Sequence, residues 1–444
     1  MVVGDVNRID LSISSFERMI TEGNLYVDKT QLIERFLNYT SSVQLVARQR
    51  RLGKSLNMDM IRCFLTDKED LRHLFKGLYI EKSPVWNKAN SAPVFYFDFK
   101  TLTAENYRRQ IVRQIDKYIC SIIDPDKLKG YMKRLFDDLV NSPDTATNGL
   151  LVLTEIVYEA TGKRSYLLID EYDKLLMDNY NSDEYEKNRA FITALFSDGL
   201  KGNMHLEKAL LTGVMRISHE SIFSGLNNIV TFDVFSDKVY TDDYGFTDEE
   251  IAALNKLVDF DVEKLREWYN GVRIGGHAIY NTYSVMSYLM QGDFGCFWGK
   301  SGTMNIIATL LNDERKATLL KLLNGECAEV AIETRISIQD LSAAVNDQAF
   351  YSLLVQAGYL ALDGVLLNIH PTAIVYIPNT ELMIVWKQFI IHALRVNVPK
   401  IRTLFDNVDC LELFSRDIEY FLRDRLSYHD LAAHKGEDTE QVQD

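Results

Sequence analysis

Cysteine is sparse in this 444-residue chain, and its five copies (Cys63, Cys120, Cys296, Cys327, Cys410) are scattered. No Cys-x-x-Cys pair and no Cys/His cluster exists, so no structural zinc site is visible. An odd count without regular spacing gives no disulfide framework, and reduced thiols in the cytoplasm are the simplest expectation. Long apolar runs are missing too. The opening MVVGDVNRIDLSIS is charged within its first ten residues and lacks an apolar stretch, so neither a signal peptide nor a membrane span is expected. Positive charge is short: 49 Lys and Arg face 63 Asp and Glu, a net charge of −14. That excludes a whole-molecule nucleic-acid binder; any such contact needs a local basic patch and is expected to be absent or weak. Internal repeats and low-complexity tracts are absent. Ser218 and His219 are adjacent, but no Gly-x-Ser-x-Gly and no orienting carboxylate accompany them, so no hydrolase triad is read there.

What is present is a globular composition, 47% hydrophobic and 25% charged, long enough for two or three domains with ample core. The stretch Val43 to Leu56, VQLVARQRRLGKSL, organises the rest. Mostly apolar residues lead into a basic loop, then Gly53-Lys54-Ser55, then the helix-like LNMDMIRCFL. Strand, loop and helix in that order are the context of a phosphate-binding loop. Backbone N–H groups at the helix start point at phosphates. Lys54 would reach the β- and γ-phosphates and Ser55 would help hold Mg²⁺. Arg51, Gly53, Lys54, Ser55 and Leu56 are the loop residues expected to bind the nucleotide. Arg48 stands where the usual pattern has its first glycine, and Arg48, Arg50 and Arg51 form the densest basic cluster of the chain.

A second stretch, SYLLIDEYDK (Ser165 to Lys174), ends an apolar run on Asp170-Glu171. A strand buried on both faces and ending in two acids is the Walker B arrangement. Asp170 would hold Mg²⁺, and Glu171 would polarise the attacking water as general base. Leu206 to Val214 reads as a neighbouring strand, with Thr212 placed to touch the γ-phosphate. Arg216 just beyond either stabilises transition-state charge there or pairs with a local carboxylate. Asp98, at the end of a strand over Pro93–Phe99, either faces the phosphate site or caps the next turn.

The spacing predicts helices over about 104–121, 127–141 and 148–160, and another ending near Leu200. A short amphipathic segment is read over Leu71–Ile80, and Ile229–Phe235 closes the sheet. Thr247-Asp-Glu-Glu250 is a capping box opening a helix. A further helix runs from Val262 to Tyr269, and Asn281 starts another. Residues 337–395 read as helices over Ile338–Val345 and Ala349–Ala357, a hairpin turning at Asp363-Gly364, a third strand over Ala373–Ile377 and a helix from Glu381.

RQRRLGKSL, with YVDKT (Tyr26 to Thr30), PVFYFDFK, LLIDEYDK, LLTGVMRISHESIFSGLNN, YGFTDEE, WYNGVRI, IYNTYSV, AGYL and IPN, resembles the bacterial AAA-ATPase-like family in collinear order to about residue 390. In that family an Arg-rich loop commonly replaces the first glycine. Gln49 and Leu52 are departures from its RPRRFGKSL loop. The resemblance implies an α/β P-loop NTPase fold, AAA/STAND-like: a mostly parallel sheet with helices on both faces. The mainly helical pattern over 248 to about 330 reads as a helical arm behind it, and helices followed by a hairpin over 337–395 read as a winged-helix-like α+β unit. The expected boundaries are 1–245, 246–335, 336–398 and a 399–444 tail. Related P-loop ATPases lay a segment over the nucleotide base, for which Tyr26, Asp28 and Lys29 are candidates; the bland reading is a helix packed on the sheet edge. The family often continues into a PD-(D/E)xK nuclease, and RLSYHDL (Arg425 to Leu431) resembles its lead-in. No later Asp…(Glu/Asp)-x-Lys pattern follows, so nuclease activity is not expected. The implied function is ATP binding with Mg²⁺ and slow or regulated hydrolysis as a conformational switch, with an unidentified protein partner. The alternatives are a non-hydrolysing nucleotide-binding scaffold and a nucleic-acid-associated regulator of a lost nuclease.

Overall fold

The computed structural model describes residues 1–143, 147–179, 182–215, 229–298, 307, 310–334, 346–366 and 371–393. An N-terminal ribbon pairs β1 (Val2–Val3) with β2 (Tyr26–Val27). The main sheet has five strands: β3 (Val43–Ala47), β4 (Val94–Asp98), β5 (Ser165–Asp170), β6 (Leu206–Gly213) and β7 (Ile229–Phe232). All are parallel, in the order β4-β5-β6-β3-β7. β6, which carries Thr212, therefore lies between β3, which leads to Gly53-Lys54-Ser55, and β5, which ends on Asp170.

Side chains alternate across a strand, and this sheet is covered on both faces. Leu45, Phe97, Leu167, Ile169 and Leu211 face one core with α-helices Tyr107–Cys120, Gly130–Asn141, Gly149–Thr161 and Tyr185–Leu200. Val46, Tyr166, Leu168, Leu210 and Phe232 face the other, with helices Phe16–Thr21, Gln31–Asn38 and Lys54–Leu65. This is the α/β P-loop NTPase-like architecture expected from the sequence. The segment Leu71–Ile80 holds the 3₁₀ turn Arg72–Phe75 and runs into a second turn at Tyr79–Lys82.

Behind the sheet, Thr247 caps a helix over Asp248–Asn255 with Glu250 reaching back to its N–H, the capping box in full. Helices Val262–Tyr269 and Thr282–Gln291 follow, the latter capped by Asn281. This span is less purely helical than expected. It holds an antiparallel hairpin of β8 (Val272–Ile274) and β9 (His277–Ile279). It also holds β10 (Ala328–Ala331), whose partner lies further on: a three-stranded antiparallel sheet has the order β10-β12-β11, with β11 at Ala361–Leu366 and β12 at Thr372–Tyr376. Asp363-Gly364 is not the hairpin turn. It sits inside β11, where Gly364 takes φ +71° and the register against β12 shifts between Asp363 and Val365. A left-handed glycine serves a bulge as well as a turn, so the dipeptide reads the same in both. Helices Asp347–Gln356 and Thr380–Ala393 pack on this sheet around Phe350, Leu354, Tyr359 and Trp386. The helix expected at Ile338–Val345, on which the winged-helix reading leans, lies outside the described residues, as do Arg216, the Ser218–Asn228 loop and the 399–444 tail. No described helix is long and apolar enough to cross a membrane.

Candidate functional site

The end of β3 delivers the chain to Arg48, whose N–H bonds to Gly213 O at 2.9 Å. The Arg48 side chain does not join a phosphate-facing cluster. It is 2% exposed, pairs with Asp237, and donates to Ala47 O at 3.0 Å and Phe232 O at 3.2 Å. Its position fills the usual glycine site with a buried strut to a segment nearly two hundred residues away. Only Arg50 and Arg51 of the three line the cavity.

Gly53, at φ +81°, starts helix Lys54–Leu65 with no side-chain cap on the first N–H groups. Uncapped N–H groups at a helix start are anion ligands in waiting. Lys54 is buried, and its Nζ donates to Arg48 O at 3.0 Å and Gln49 O at 2.9 Å. Burial lowers its pKa, opposed by the charges of Glu171, Asp170 and Asp173. Arg51 adopts φ +66°, and its guanidinium lies 4.0 Å from the Tyr283 ring centroid and donates to Phe297 O. Thr282 Oγ1 donates to Arg51 O at 2.7 Å.

Across the gap, Asp170 is 1% exposed at the end of β5. Ser55 Oγ donates to its Oδ2 at 2.5 Å, Tyr96 OH reaches the same oxygen at 3.3 Å, and Thr212 Oγ1 donates to Oδ1. The structure thus brings Ser55, Asp170 and Thr212 into one cluster. Glu171 follows with φ +55° and lines the cavity. Asp173 is fully buried. Its Oδ2 accepts N–H bonds from Val214 at 2.9 Å and Met215 at 2.7 Å. Burial, with the Glu171 charge, pushes its carboxyl up to about 6. Tyr96 and Asp173 carried no assigned role in the sequence. The motif DEYD held the second in view, but an apolar strand ending in acids assigns work only to the first two. Asp98 accepts from Lys100 N at 2.8 Å, so it caps the turn. Asp28 and Lys29 are likewise engaged, Asp28 with Thr30 and Tyr79 N–H groups, Lys29 with Glu250 at 2.6 Å.

These elements enclose a cavity of about 520 Å³. Its lining includes polar residues such as Arg50, Lys54, Ser55, Lys100, Glu171 and Lys174 and apolar residues such as Ile9, Leu11, Ile13, Val27, Phe246 and Met286. A lining that mixes cationic and apolar residues suits a ligand that has both anionic and apolar parts. The Ser55 hydroxyl and Asp170 carboxylate are hard oxygen donors suited to Mg²⁺. Among the described residues no group of three His, Cys, Asp or Glu could hold a metal alone, so such an ion would complete its shell with phosphate and water oxygens.

Comparison with known proteins agrees. Over residues 10–223 the chain matches the model of the AAA-ATPase-like family, which is described as a predicted AAA-ATPase. That similarity supports a nucleotide-binding, ATPase-like region, which in such proteins typically works with a divalent metal. The chain is also similar to an uncharacterized protein in the vnfD 5′ region of Azotobacter chroococcum mcd 1, 28% identical over 373 residues. That alignment takes in 81% of this chain but 64% of the relative, so the chain spans less than two thirds of the relative's length.

Proposed function

We propose that the chain binds Mg-ATP in this cavity and hydrolyses it slowly, with the phosphate loop reporting the event to the arm behind the sheet. The observation that carries the reading is the Ser55 hydroxyl on the Asp170 carboxylate at 2.5 Å, beside a buried Lys54 ammonium that bonds loop carbonyls. Phosphates are the natural partner for that ammonium together with the uncapped N–H groups from Gly53 onward. Ser55 and Asp170 would hold Mg²⁺, which when bound neutralises charge on the phosphates. Glu171 orients and deprotonates water at the cavity end, and Thr212, held on Asp170, senses the γ-phosphate. Leu56 contributes cavity wall. Arg51 stands between phosphates and arm, and Arg216 keeps its proposed charge-stabilising role from the sequence. Residues 1–245 would form the ATPase unit, 246–335 the arm and 336–398 a protein-contact unit. Burial of Arg48 leaves too little free basic charge at the loop to favour nucleic acid.

The test is steady-state ATP hydrolysis by the pure protein, with and without nucleic acid, beside Lys54→Ala and Glu171→Gln, with calorimetry on each. The expected result is slow turnover in the parent, lost in both variants, with affinity kept in Glu171→Gln. Tight binding without turnover in the parent would favour the scaffold reading. No binding by the parent would end the proposal.

A further inference from the structure

We infer that Tyr172 and Asp173 are positioning residues that pin the acidic turn to β6 and so aim Glu171 into the cavity; the inference rests on the nucleotide reading of that cavity. β5 ends at Asp170 and the next helix begins at Lys174, leaving three residues to turn the chain. Two of them reach sideways to the end of β6. Tyr172 N donates to Thr212 O at 3.1 Å, and Tyr172 OH donates to Met215 O at 2.7 Å. Asp173 Oδ2 accepts from Val214 N and Met215 N. The contact is close: a Cβ on Gly213 would lie 2.6 Å from both Asp173 Oδ1 and the Tyr172 ring.

Between these anchors sits Glu171 at φ +55°, a left-handed conformation that non-glycine residues adopt rarely and hold only when neighbours over-determine it. Its own N–H bonds to Asp170 Oδ1 at 3.0 Å, and Lys174 N closes back on Glu171 O at 3.0 Å. A conventional extended residue here would send the side chain elsewhere. The four bonds to β6 fix the turn, the turn fixes Glu171, and Thr212 on the same strand end holds Asp170. The acidic pair and the sensing threonine are thereby one rigid body.

One Asp173 oxygen takes both N–H bonds, and the other, Oδ1, is buried with no hydrogen-bond partner. Pinning therefore needs an acceptor oxygen and no charge, so asparagine can replace it. The experiment compares the parent, Asp173→Ala, Asp173→Asn and Tyr172→Phe by ATP hydrolysis, ATP affinity and hydrogen exchange of the 212–215 amides. Asp173→Ala should lower kcat about 100-fold, as misplacing a catalytic group does. Its ATP affinity should stay within about threefold of the parent, the signature of a contact realised in turnover rather than binding. The Val214 and Met215 amides should exchange faster. Asp173→Asn should restore most of the turnover and the slow exchange, and Tyr172→Phe should fall between. Parent-like kcat and exchange in Asp173→Ala, or loss of turnover in Asp173→Asn with its slow exchange intact, would overturn the inference. If Asp173→Ala does not fold, Asp173→Asn and Tyr172→Phe decide by the same measures. A parent that binds no ATP defeats the nucleotide reading instead, while the exchange data still judge the pinning.

Discussion

The two sides of the cavity are held in different ways. The acidic side is held by the sheet. Asp170 is bonded by Ser55, Tyr96 and Thr212, and Tyr172 and Asp173 grip the end of the adjacent strand. The loop from Arg48 to Gly53 is tied to the sheet by Arg48 but also from outside it. Arg48 is tied to Asp237, and Arg51 carries Thr282 on its carbonyl and lies over Tyr283. The Gln49 side chain presses on Gly358 so closely that a Cβ there would sit 1.5 Å from it. Phe297, which accepts from Arg51, gives its own N–H to the buried carboxylate of Glu381 at 2.6 Å. Contacts within a sheet follow from strand register. Contacts from a distant arm can change with the arm. Under the proposed switch, the acidic side would supply fixed geometry and the loop side communication.

Substitutions sharpen that contrast. Largest should be Glu171→Gln, which removes the proposed base and should lower turnover about 10²- to 10⁴-fold with affinity kept, measured by single-turnover hydrolysis and calorimetry. Arg48→Ala acts on the other side and on a different quantity. It leaves the buried Asp237 carboxylate without its cation and should lower folding stability by about 3–5 kcal/mol in urea denaturation. Equal loss of stability from Glu171→Gln would break the contrast.

Asp173→Asn tests the sheet side by pH. The folded Asp173 carboxyl sits at about 6 against an ordinary 3.8, so the folded state holds more protons than the unfolded chain between those values. Its contribution to stability is therefore lost as pH rises through that window. The variant should gain on the parent by up to about 3 kcal/mol between pH 4 and pH 6, with no further change above. Asp243 is also raised to about 6, so the readout is variant minus parent at each pH. Smallest should be Thr282→Val, which deletes one bond to the loop carbonyl of Arg51 and should lower stability by about 1 kcal/mol in thermal or urea denaturation.

Legibility followed distance along the chain. The capping box at Thr247 and the helix start at Asn281 were readable because donor and acceptor lie within three residues. Leu167 and Ile169 announced a strand buried on both faces. Arg48 was not readable: its pattern position said phosphate loop, and its partner lies 189 residues on. The Asp363-Gly364 bulge was misread because the backbone needs the same left-handed glycine in a turn and a bulge. β10 went unseen because Ala328–Ala331 has no strong alternation of its own and becomes a strand by pairing with β12.

The local order of residues was enough to place Gly53-Lys54-Ser55 after one buried strand and Asp170-Glu171 after another, since periodicity and helix-start signals act over a few residues. The motif roles put them on one Mg²⁺, but local order did not say through which strand arrangement they meet. Ser55 and Asp170, 115 residues apart, share a hydrogen bond because the parallel strands assemble with β6 between β5 and β3. That same order puts Thr212 on Asp170 and lays the end of β6 against Tyr172 and Asp173. Strand order depends on which apolar faces pack together across the whole chain, so the site became a site only on folding.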